Sequence, residues 1–412
     1  IAFNNTNLNI LNKNFDFIVS LAEQCFLNEY VFNQSERETK DIFLLKNSLL
    51  KNNEINELEL AILGCYMPLS TNKIIADRLL KYQSNNLLFD DLIILQIKNS
   101  LKEHELGKSI KSFGKTTDAI SQKVKKQYEK HPYPRWRYTY KKSSLNFLDI
   151  LNNKVKLNKI ENRNKFYNPN VLVAGCGTGQ HILIVCNYRN AKILGVDLSL
   201  TSLSYAKRQT NELEIDNAEY LQADILQLNK LGKKFDIIEA SGVIHHMKNP
   251  LEGLKILVDL LEPHGFLKLG LYSEIARKHI IEARNFVKKN KFKNTIEDIR
   301  QYREEIFNLK KNDLIQKITK LKDFYSISTV RDLIFHVKEH RFTLPQISKI
   351  LHDFKLIFLG FNDINTPVKR KFSIEFPSDK NFTSLKNWHQ FETDNPNTFP
   401  AMYNFWVKKM NN

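Results

Sequence analysis

The sequence is poor in the features that mark membrane-spanning or disulfide-rich secreted proteins. Its 412 residues include four cysteines, Cys25, Cys65, Cys176 and Cys186, and none of them forms a C-x-x-C pair. No apolar run approaches the ~18 residues that a spanning helix needs, and no signal peptide is visible. These absences predict a cytoplasmic protein with reduced cysteines and no membrane partner. Because the chain begins with Ile1 and not Met, we also expect an upstream portion to be missing.

The chain carries a large net positive charge, although its composition is that of a globular protein. Hydrophobic residues make up 42%, which is enough for a substantial core, while the net charge is +17 and the pI is near 9.4. Such a charge is compatible with nucleic acid or an anionic surface. Lysine greatly outnumbers arginine, however, and the charge is concentrated in helix-like tracts such as KKNKFK at 288–293. Solvated helix faces are therefore the favoured interpretation, and nucleic acid is the alternative.

The central stretch of the chain is VLVAGCGTGQ, residues 171–180. Four apolar residues have the length of a buried strand, and Gly175, Gly177 and Gly179 then allow a tight turn close to a ligand. A dinucleotide fingerprint, G-x-G-x-x-G, needs a third glycine where this chain has Gln180 or Ile182. The spacing therefore excludes that fingerprint and leaves G-x-G-x-G after a strand.

Strands and helices alternate after this loop. The strand AKILGVDLS ends at Asp197, and Asp224 follows the next short strand, so both acids are expected at the carboxyl edge of a parallel sheet. FDIIEAS and FLKLGLYS read as the fourth and fifth strands, and KLIFLGF and MYNFWVKK as a final pair that closes the sheet. This order predicts an α/β fold with a doubly wound, seven-stranded, mostly parallel sheet.

The G-x-G-x-G loop and the two acids resemble the class I S-adenosyl-L-methionine (SAM) methyltransferases, which are Rossmann-like. The resemblance implies SAM as cofactor and S-adenosyl-L-homocysteine (SAH) as product, with Asp197 on the ribose and Asp224 on the adenine amino group. The residues expected to bind the cofactor are Gly175, Gly177, Thr178, Gly179, Gln180, Asp197, Leu198, Asp224, Ile225 and Ser241. Many members of the family carry an acid two residues before the first glycine, whereas this chain has Val173. The contact with the methionine amino group must therefore come from elsewhere.

Five segments are predicted along the chain. They are a helical N-terminal domain (1–126), a connecting strap and helix over the cofactor site (127–165), the SAM-binding α/β core (166–273), a helical substrate or lid insertion after strand five (274–341) and the end of the core (342–412). The first segment shows apolar residues at helical spacing from Phe15 to Phe26 and in later stretches. The insertion ends in STVRDLIFHVKEHR, where a helix would place Asp332 and His336, and Phe335 and Glu339, at i, i+4.

Residues for the methyl acceptor are expected on three segments. The strap QYEKHPYPRW is stiffened by two prolines and either closes over the ligand with its aromatic rings or ties two domains together. The adjacent His245 and His246 follow the fourth strand, where a histidine either takes a proton from the acceptor or only lines the pocket. A metal is not expected, because no H-x-x-x-H pattern or nearby carboxylate completes a zinc site. The candidate catalytic residues are His245, His246 and His336, and the candidate substrate-binding residues are His131, Tyr133, Arg135, Trp136, Tyr272, Glu339 and His340.

A narrower resemblance covers nearly the whole chain. The stretches QCFLNEYVF, QYEKHPYPRW, VAGCGTGQH, FHVKEHRFTLPQ and NPNTFPAMYNFW are similar to a bacterial group of SAM methyltransferases often preceded by tetratricopeptide repeats. The resemblance implies methyl transfer to an acceptor, for which a small-molecule N, O or S atom is favoured. Methylation of RNA or protein, or a non-catalytic SAM-binding regulatory module, are the alternatives. The Asn/Asp-Pro-Pro-Tyr motif of amino-group DNA methylation is missing, since SGVIHH stands in its place.

Overall fold

The computed structural model describes residues 10–52, 54–137, 139, 144–155, 166–310, 313–362 and 364–410. The chain forms two compact units, one made of residues 1–105 and 282–335 and the other of residues 106–281 and 336–412. These units do not coincide with the five predicted segments, because residues 106–126 belong to the second unit and residues 282–335 to the first. Among the described residues, no helix combines the length and the apolar character that crossing a bilayer requires.

The first unit is helical. Its helices up to the unit boundary are α1 (Phe15–Leu27), α2 (Glu36–Lys51), α3 (Glu57–Gly64), α4 (Lys73–Leu80), α5 (Leu87–Ile93) and α6 (Asn99–Lys108), with a 3₁₀ turn at Leu69–Thr71 and a π-helical turn at Ile94–Lys98. Four of these helices begin at a side-chain cap that accepts a backbone N–H, which satisfies donors that the first turn leaves unpaired. These caps are Ser35, Asn56, Asn72 and Asn86. The apolar faces of the helices meet in a core that runs from Ile18 to Ile97.

Residues 282–335 are hydrogen-bonded to the connection between α1 and α2 of the same unit. Their elements are α12 (Lys278–Lys289), α13 (Ile296–Asn308), 3₁₀ turns at Leu314–Lys320 and Lys322–Tyr325, and α14 (Ile327–Ile334). The guanidinium of Arg303 donates to the carbonyl of Val31 at 2.7 Å, and the N–H of Ser328 donates to the Glu29 carboxylate at 2.5 Å. The segment predicted as an insertion in the α/β core is therefore largely part of the helical unit.

The second unit is built on a single eight-stranded sheet. Its strands are β1 (Lys111–Phe113), β2 (Asn170–Ala174), β3 (Lys192–Asp197), β4 (Ala218–Ala223), β5 (Phe235–Ser241), β6 (Leu261–Tyr272), β7 (Leu356–Phe361) and β8 (Met402–Lys409). The spatial order is β1-β4-β3-β2-β5-β6-β8-β7, with β8 antiparallel to both neighbours and the other pairs parallel. The predicted doubly wound, mostly parallel sheet is confirmed, with β7 and β8 as its antiparallel end.

The remaining helices of the second unit cover this sheet. They are α7 (Ala119–Lys130), α8 (Phe147–Asn152), α9 (Ile182–Val185), α10 (Leu200–Glu212), α11 (Pro250–Leu260), α15 (Leu344–Asp353), α16 (Thr366–Glu375) and α17 (Leu385–Asp394), with 3₁₀ turns at Ile225–Leu231 and Ile244–His246. One core cluster includes Leu172, Leu254 and Trp388, and a second one includes Val171, Ile193 and Phe266. Because neighbouring residues of β2 enter different clusters, the strand is buried on both faces, as its unbroken apolar run predicted.

Two local expectations were wrong. The sheet has an eighth strand, β1, inside the N-terminal segment that was predicted to be helical throughout; with only three residues, it gives no periodic pattern. The helix predicted across residues 332–339 ends at Ile334. Beyond it the backbone bonds to neighbouring elements of the same unit: His340 N–H donates to His245 at 2.8 Å, and Phe342 N–H donates to Tyr272 at 2.9 Å. These tertiary hydrogen bonds satisfy the backbone groups that a longer helix would have used.

Candidate active site

The glycine loop joins β2 to α9 and has no room for side chains at two of its three glycines. All three glycines have positive φ, 68° at Gly175, 52° at Gly177 and 85° at Gly179, which L-residues rarely adopt. A Cβ at Gly175 would lie 2.3 Å from a methyl of Val243, and one at Gly179 would lie 2.7 Å from the Cβ of Ala206. The loop is thus pressed between the turn after β5 and helix α10, which leaves its backbone amides as the groups available to a ligand.

The two predicted acids lie at the carboxyl ends of neighbouring strands. Asp197 ends β3, and its carboxylate accepts the N–H of Gly177 and the N–H of Ser199, both at 2.9 Å. Burial raises the pKa of Asp197, and these two N–H donors act in the opposite direction. Asp224 follows β4 and accepts the N–H of Leu226 at 3.0 Å as the cap of a 3₁₀ turn. Both carboxylates are therefore fixed in orientation at the same edge of the sheet as the glycine loop.

The strap lies directly over the glycine loop. The indole N–H of Trp136 donates to the carbonyl of Thr178 at 3.1 Å, and the Thr178 hydroxyl donates to the carbonyl of Pro134. The carbonyl of Tyr133 would be only 3.0 Å from a Cβ at Gly177. Trp136 is buried and bonded through its backbone to Tyr205 of α10. The strap is consequently attached to the loop and to the helix that follows Asp197.

Glu129, at the start of the strap sequence, caps helix α10 from outside. Its carboxylate accepts the N–H of Leu200 at 2.8 Å and the hydroxyl of Thr201 at 2.6 Å. A carboxylate at a helix N-terminus is favoured by the unpaired N–H groups and by the helix dipole. We did not single out this residue from the sequence, although it precedes the selected His131 by only two positions.

Three histidines and two tyrosines form an aromatic cluster at the ends of β5 and β6. His245 and His246 lie on a buried 3₁₀ turn. The ring of His245 packs 3.8 Å from that of Tyr272, and the ring of His246 stacks 3.6 Å from that of His336, centroid to centroid. Tyr128 of α7 lies 6.0 Å from the His336 ring. The fold therefore brings all three candidate catalytic residues together.

The surroundings of His245 and His246 disfavour the protonated form of each ring. Burial, together with the charge of Arg277 and the neighbouring His336, holds the pKa of His245 well below its usual value. Burial, His336 and His245 act in the same way on the pKa of His246. Nδ1 of His246 is 2.7 Å from the carbonyl of Lys338, which acts as acceptor, so this nitrogen carries the proton. Nε2 of His246 is then the basic nitrogen.

Arg277 and Glu339 support the cluster from behind. The guanidinium donates to both carboxylate oxygens of Glu339, at 3.2 and 2.8 Å, and its centre lies 3.6 Å above the ring of Tyr272. Arg341 also donates to Glu339 at 3.3 Å. The Glu339 side chain is fully buried beside these two arginines. His340 holds the carbonyl of Met247 at 3.1 Å through its ring.

A buried charge network, none of whose members is among the predicted site residues, surrounds Glu239 of β5. Glu239 of β5 is fully buried and meets His181 at 2.5 Å, Lys268 at 3.1 Å and the hydroxyl of Tyr188. Burial raises the pKa of its carboxyl, but Lys268, His181 and the Tyr188 hydroxyl outweigh this, and the net pKa is strongly lowered. Glu239 is also the register partner of Val173 on the adjacent strand. Where many class I methyltransferases carry an acid on β2, this chain has Val173, and Glu239 of β5 places a carboxylate beside that position.

Comparisons with known proteins agree with this geometry. Residues 165–323 match the model of a family described as a methyltransferase domain. An uncharacterized protein of Synechococcus sp. is 24% identical over 310 residues, covering 69% of this chain and 71% of its own length. A ubiquinone biosynthesis O-methyltransferase of Coxiella burnetii is 31% identical over 115 residues, covering 28% of this chain and 48% of its own length.

The structural similarity extends further along the chain. PKMT2 from Rickettsia typhi superposes with a TM-score of 0.50 at 20% identity, over 67% of this chain and 54% of that chain. At this level of identity the similarity shows the fold. The chain spans about half the length of the O-methyltransferase and of the Rickettsia protein. Residues 165–323 therefore match a methyltransferase domain.

The residues of the methyltransferase domain fit its cofactor. The glycine loop has no room for side chains at Gly175 and Gly179, and the Asp197 carboxylate lies beside it at the strand edge. Among the described residues, the buried Ser241 hydroxyl at the end of β5 has no hydrogen-bond partner, and neither ring nitrogen of His245 has one at normal geometry. Buried polar atoms of this kind are expected where a polar ligand belongs.

The methyltransferase domain brings most of the predicted site residues to one edge of the sheet. The predicted cofactor residues lie on the loops after β2, β3 and β4 and at the end of β5. The strap residues His131, Tyr133, Arg135 and Trp136 belong to the segment that crosses the glycine loop. Glu239, Arg277 and Lys268 also lie beside the site. No local motif marks them, because each is recognised only by its partners across the sheet or the turn. Their roles, like those of the predicted residues, remain proposals.

Proposed function

We propose that the chain transfers the methyl group of SAM to an N, O or S atom of a small-molecule acceptor. The observation that carries this proposal is the buried cluster of His245, His246 and Tyr272 next to the glycine loop and the end of β5. A reaction centre lined by buried aromatic side chains suits an acceptor that can be enclosed. The similarity to an enzyme named as a ubiquinone biosynthesis O-methyltransferase supports the same class of acceptor.

The chemistry requires little beyond positioning. SAM supplies an electrophilic methyl carbon on a sulfonium, which a lone pair attacks in line from ~3 to 3.5 Å. The glycine loop, Asp197 and Asp224 hold the cofactor, while Tyr133 and Trp136 of the strap cover it. A protonated acceptor must lose its proton, and a neutral histidine within hydrogen-bond reach accepts it. His245 and His246 have the required neutral form, since burial lowers the pKa of each.

His336, Tyr272 and His340 are proposed to shape the acceptor site. His336 stacks on His246, and Tyr272 lies against His245, so a change in either ring displaces a candidate base. His340 fixes the turn through its backbone bond to His245. Arg135 and His131 of the strap are proposed to contact the acceptor from the opposite side. Glu339 acts through Arg277, to which its carboxylate is bonded.

The proposal is tested by measuring formation of SAH when the full chain is incubated with SAM and fractionated metabolites. We expect one or more low-molecular-mass fractions to support turnover. SAM binding without SAH formation from any fraction would instead support the regulatory module. SAH formation only with RNA or protein, with an affinity that falls steeply with salt, would support the polymer acceptor that the net charge of +17 favours. The relation to methyltransferases fused to tetratricopeptide repeats also remains a prediction.

A further inference from the structure

A cavity is formed wholly by residues of the helical unit. Its volume is about 250 Å³, and the lining includes Ile18, Leu21, Tyr30, Phe32 and Ile62 together with two cysteines, Cys25 and Cys65. Leu21 and Phe32 are exposed large apolar residues at the cavity. Nothing in the methyl-transfer proposal uses this cavity or its thiols.

The packing of α1 against α3 brings the two cysteines together. A Cβ at Gly64, the last residue of α3, would lie only 3.3 Å from the Cβ of Ala22 on α1, so the two helices approach closely at this level. Cys65 follows Gly64 directly, and Cys25 lies three residues after Ala22, on the same side of its helix. The Cys65 thiol also lies 3.6 Å from the carbonyl of Ile18. Cys25 and Cys65, which are 40 positions apart in the chain, therefore lie side by side.

The two thiols differ in character. The neighbouring Cys65 side chain lowers the pKa of the Cys25 thiol, while Cys25 and burial raise the pKa of the Cys65 thiol. Both side chains are half-buried at a cavity, whereas Cys176 is buried in the glycine loop, where burial raises the pKa of its thiol. Reactivity toward oxidants follows thiolate character together with access. Cys25 therefore has the features of an attacking thiolate, and Cys65 has those of a resolving thiol.

We propose that Cys25 and Cys65 are a redox modification site that forms an intramolecular disulfide when the protein meets a hydroperoxide. The Cys25 thiolate attacks one peroxide oxygen, the O–O bond breaks, and the departing oxygen takes a proton and leaves as water or an alcohol. Cys25 is then a sulfenic acid. Cys65 loses its proton and attacks the Cys25 sulfur, the S–O bond breaks, and a water molecule leaves. In sum, two thiols are oxidised by two electrons and one hydroperoxide is reduced.

The test uses the full chain, treated with hydrogen peroxide under native conditions and then unfolded and alkylated, so that the buried Cys176 is counted as well. We expect the number of alkylated thiols to fall from four to two per chain, a linked peptide pair containing Cys25 and Cys65, and full reversal by dithiothreitol. Cys186→Ser is the matched control, since Cys186 is also half-buried but lies outside the helical unit; it should lose the same two thiols. Four thiols remaining, or a link to another cysteine or another chain, would overturn the proposal.

The order of attack is tested with the two single variants. In Cys65→Ser, dimedone should label Cys25 as the trapped sulfenic acid, whereas in Cys25→Ser no linked peptide should form and Cys65 should stay unlabelled. Dimedone labelling of Cys65 in the second variant would overturn the assignment of Cys25 as the attacking thiol. If a variant folds poorly, the peptide map of the unsubstituted chain still tests whether Cys25 and Cys65 become linked.

Discussion

The guanidinium of Arg277 donates to both oxygens of the Glu339 carboxylate and at the same time lies 3.6 Å above the ring of Tyr272. Both side chains of the ion pair are almost completely buried. The planar guanidinium can do both because its N–H groups point outward in the plane while its face remains available for stacking. Since Tyr272 in turn packs against His245, the pair fixes one wall of the proposed acceptor site.

Removing the charge of Glu339 should destabilise the fold strongly. In Glu339→Gln, Arg277 keeps its burial but loses its counter-charge, and breaking a buried pair in this way costs about 3–5 kcal/mol. Urea unfolding measures the loss. Asp259→Asn is the matched control, because its partner Lys255 and Asp259 itself are largely exposed, and we expect a change below about 1 kcal/mol there. If both variants lost the same free energy of unfolding, burial of the ion pair would not be the cause of the loss in Glu339→Gln.

Closing the space at the glycine loop should weaken cofactor binding. In Gly175→Ala, the new methyl would lie 2.3 Å from Val243 at a φ of 68°, so the loop must shift and the affinity for SAH should fall at least tenfold, about 1.4 kcal/mol. Gly232→Ala has a similar φ of 65° but nothing within 4 Å of its Cβ. It should lose only about 1 kcal/mol of stability and keep its affinity. Isothermal titration with SAH distinguishes the two variants.

The two buried histidines should affect turnover and not cofactor affinity. If His245 or His246 accepts the acceptor's proton, its replacement by Ala should lower kcat by about 10²- to 10⁴-fold while the Kd for SAH changes little. His352→Ala provides the control, since the His352 side chain is 90% exposed. Unchanged kcat in both variants, with a Kd for SAH like that of the parent chain, would mean that neither histidine is the base.

The same histidines should make the protein less stable in mild acid. Their folded-state pKa values are lowered by burial, while in the unfolded chain each titrates near its ordinary value of about 6.5. Below that pH the unfolded chain binds more protons than the folded one, so the free energy of unfolding decreases as the pH falls from about 6.5. Thermal melts between pH 8 and 5 should show this slope, and His246→Gln should reduce it. A melting temperature that rises as the pH falls from 8 to 5 would contradict the assignment.

Glu239 should stabilise the fold at neutral pH and lose that effect in strong acid. Its partners hold the folded-state pKa far below the ordinary glutamate value, so its contribution is present above an unfolded pKa of about 4.3 and is lost as the pH falls below it. Glu239→Gln should therefore unfold at lower urea concentration than the parent at pH 7, with a difference that shrinks toward pH 3. A difference that is independent of pH would show that the Glu239 charge is not what stabilises the network.

The sequence predicted those parts of the site that are local in the chain. The G-x-G-x-G loop, Asp197 and Asp224 each follow a strand, and a parallel sheet gathers such positions at one edge whatever the details of packing. The strap was recognised by its prolines and aromatic residues. Residues such as Glu239 and Arg277 were not, because Glu239 matters through its position beside Val173 and Lys268 in register, and that register is set by the sheet.

Local sequence thus determined the order of strands and helices, the doubly wound sheet and the position of the cofactor loop, since strand length, apolar runs and glycine placement act over only a few residues. Tertiary structure alone decided where the helix at Ile334 ends, because backbone groups of His340 and Phe342 find partners on distant strands and turns. It also assigned residues 282–335 to the helical unit and placed Cys25 beside Cys65. Pairings between positions far apart in the chain depend on how whole elements pack, and no short stretch of sequence carries that information.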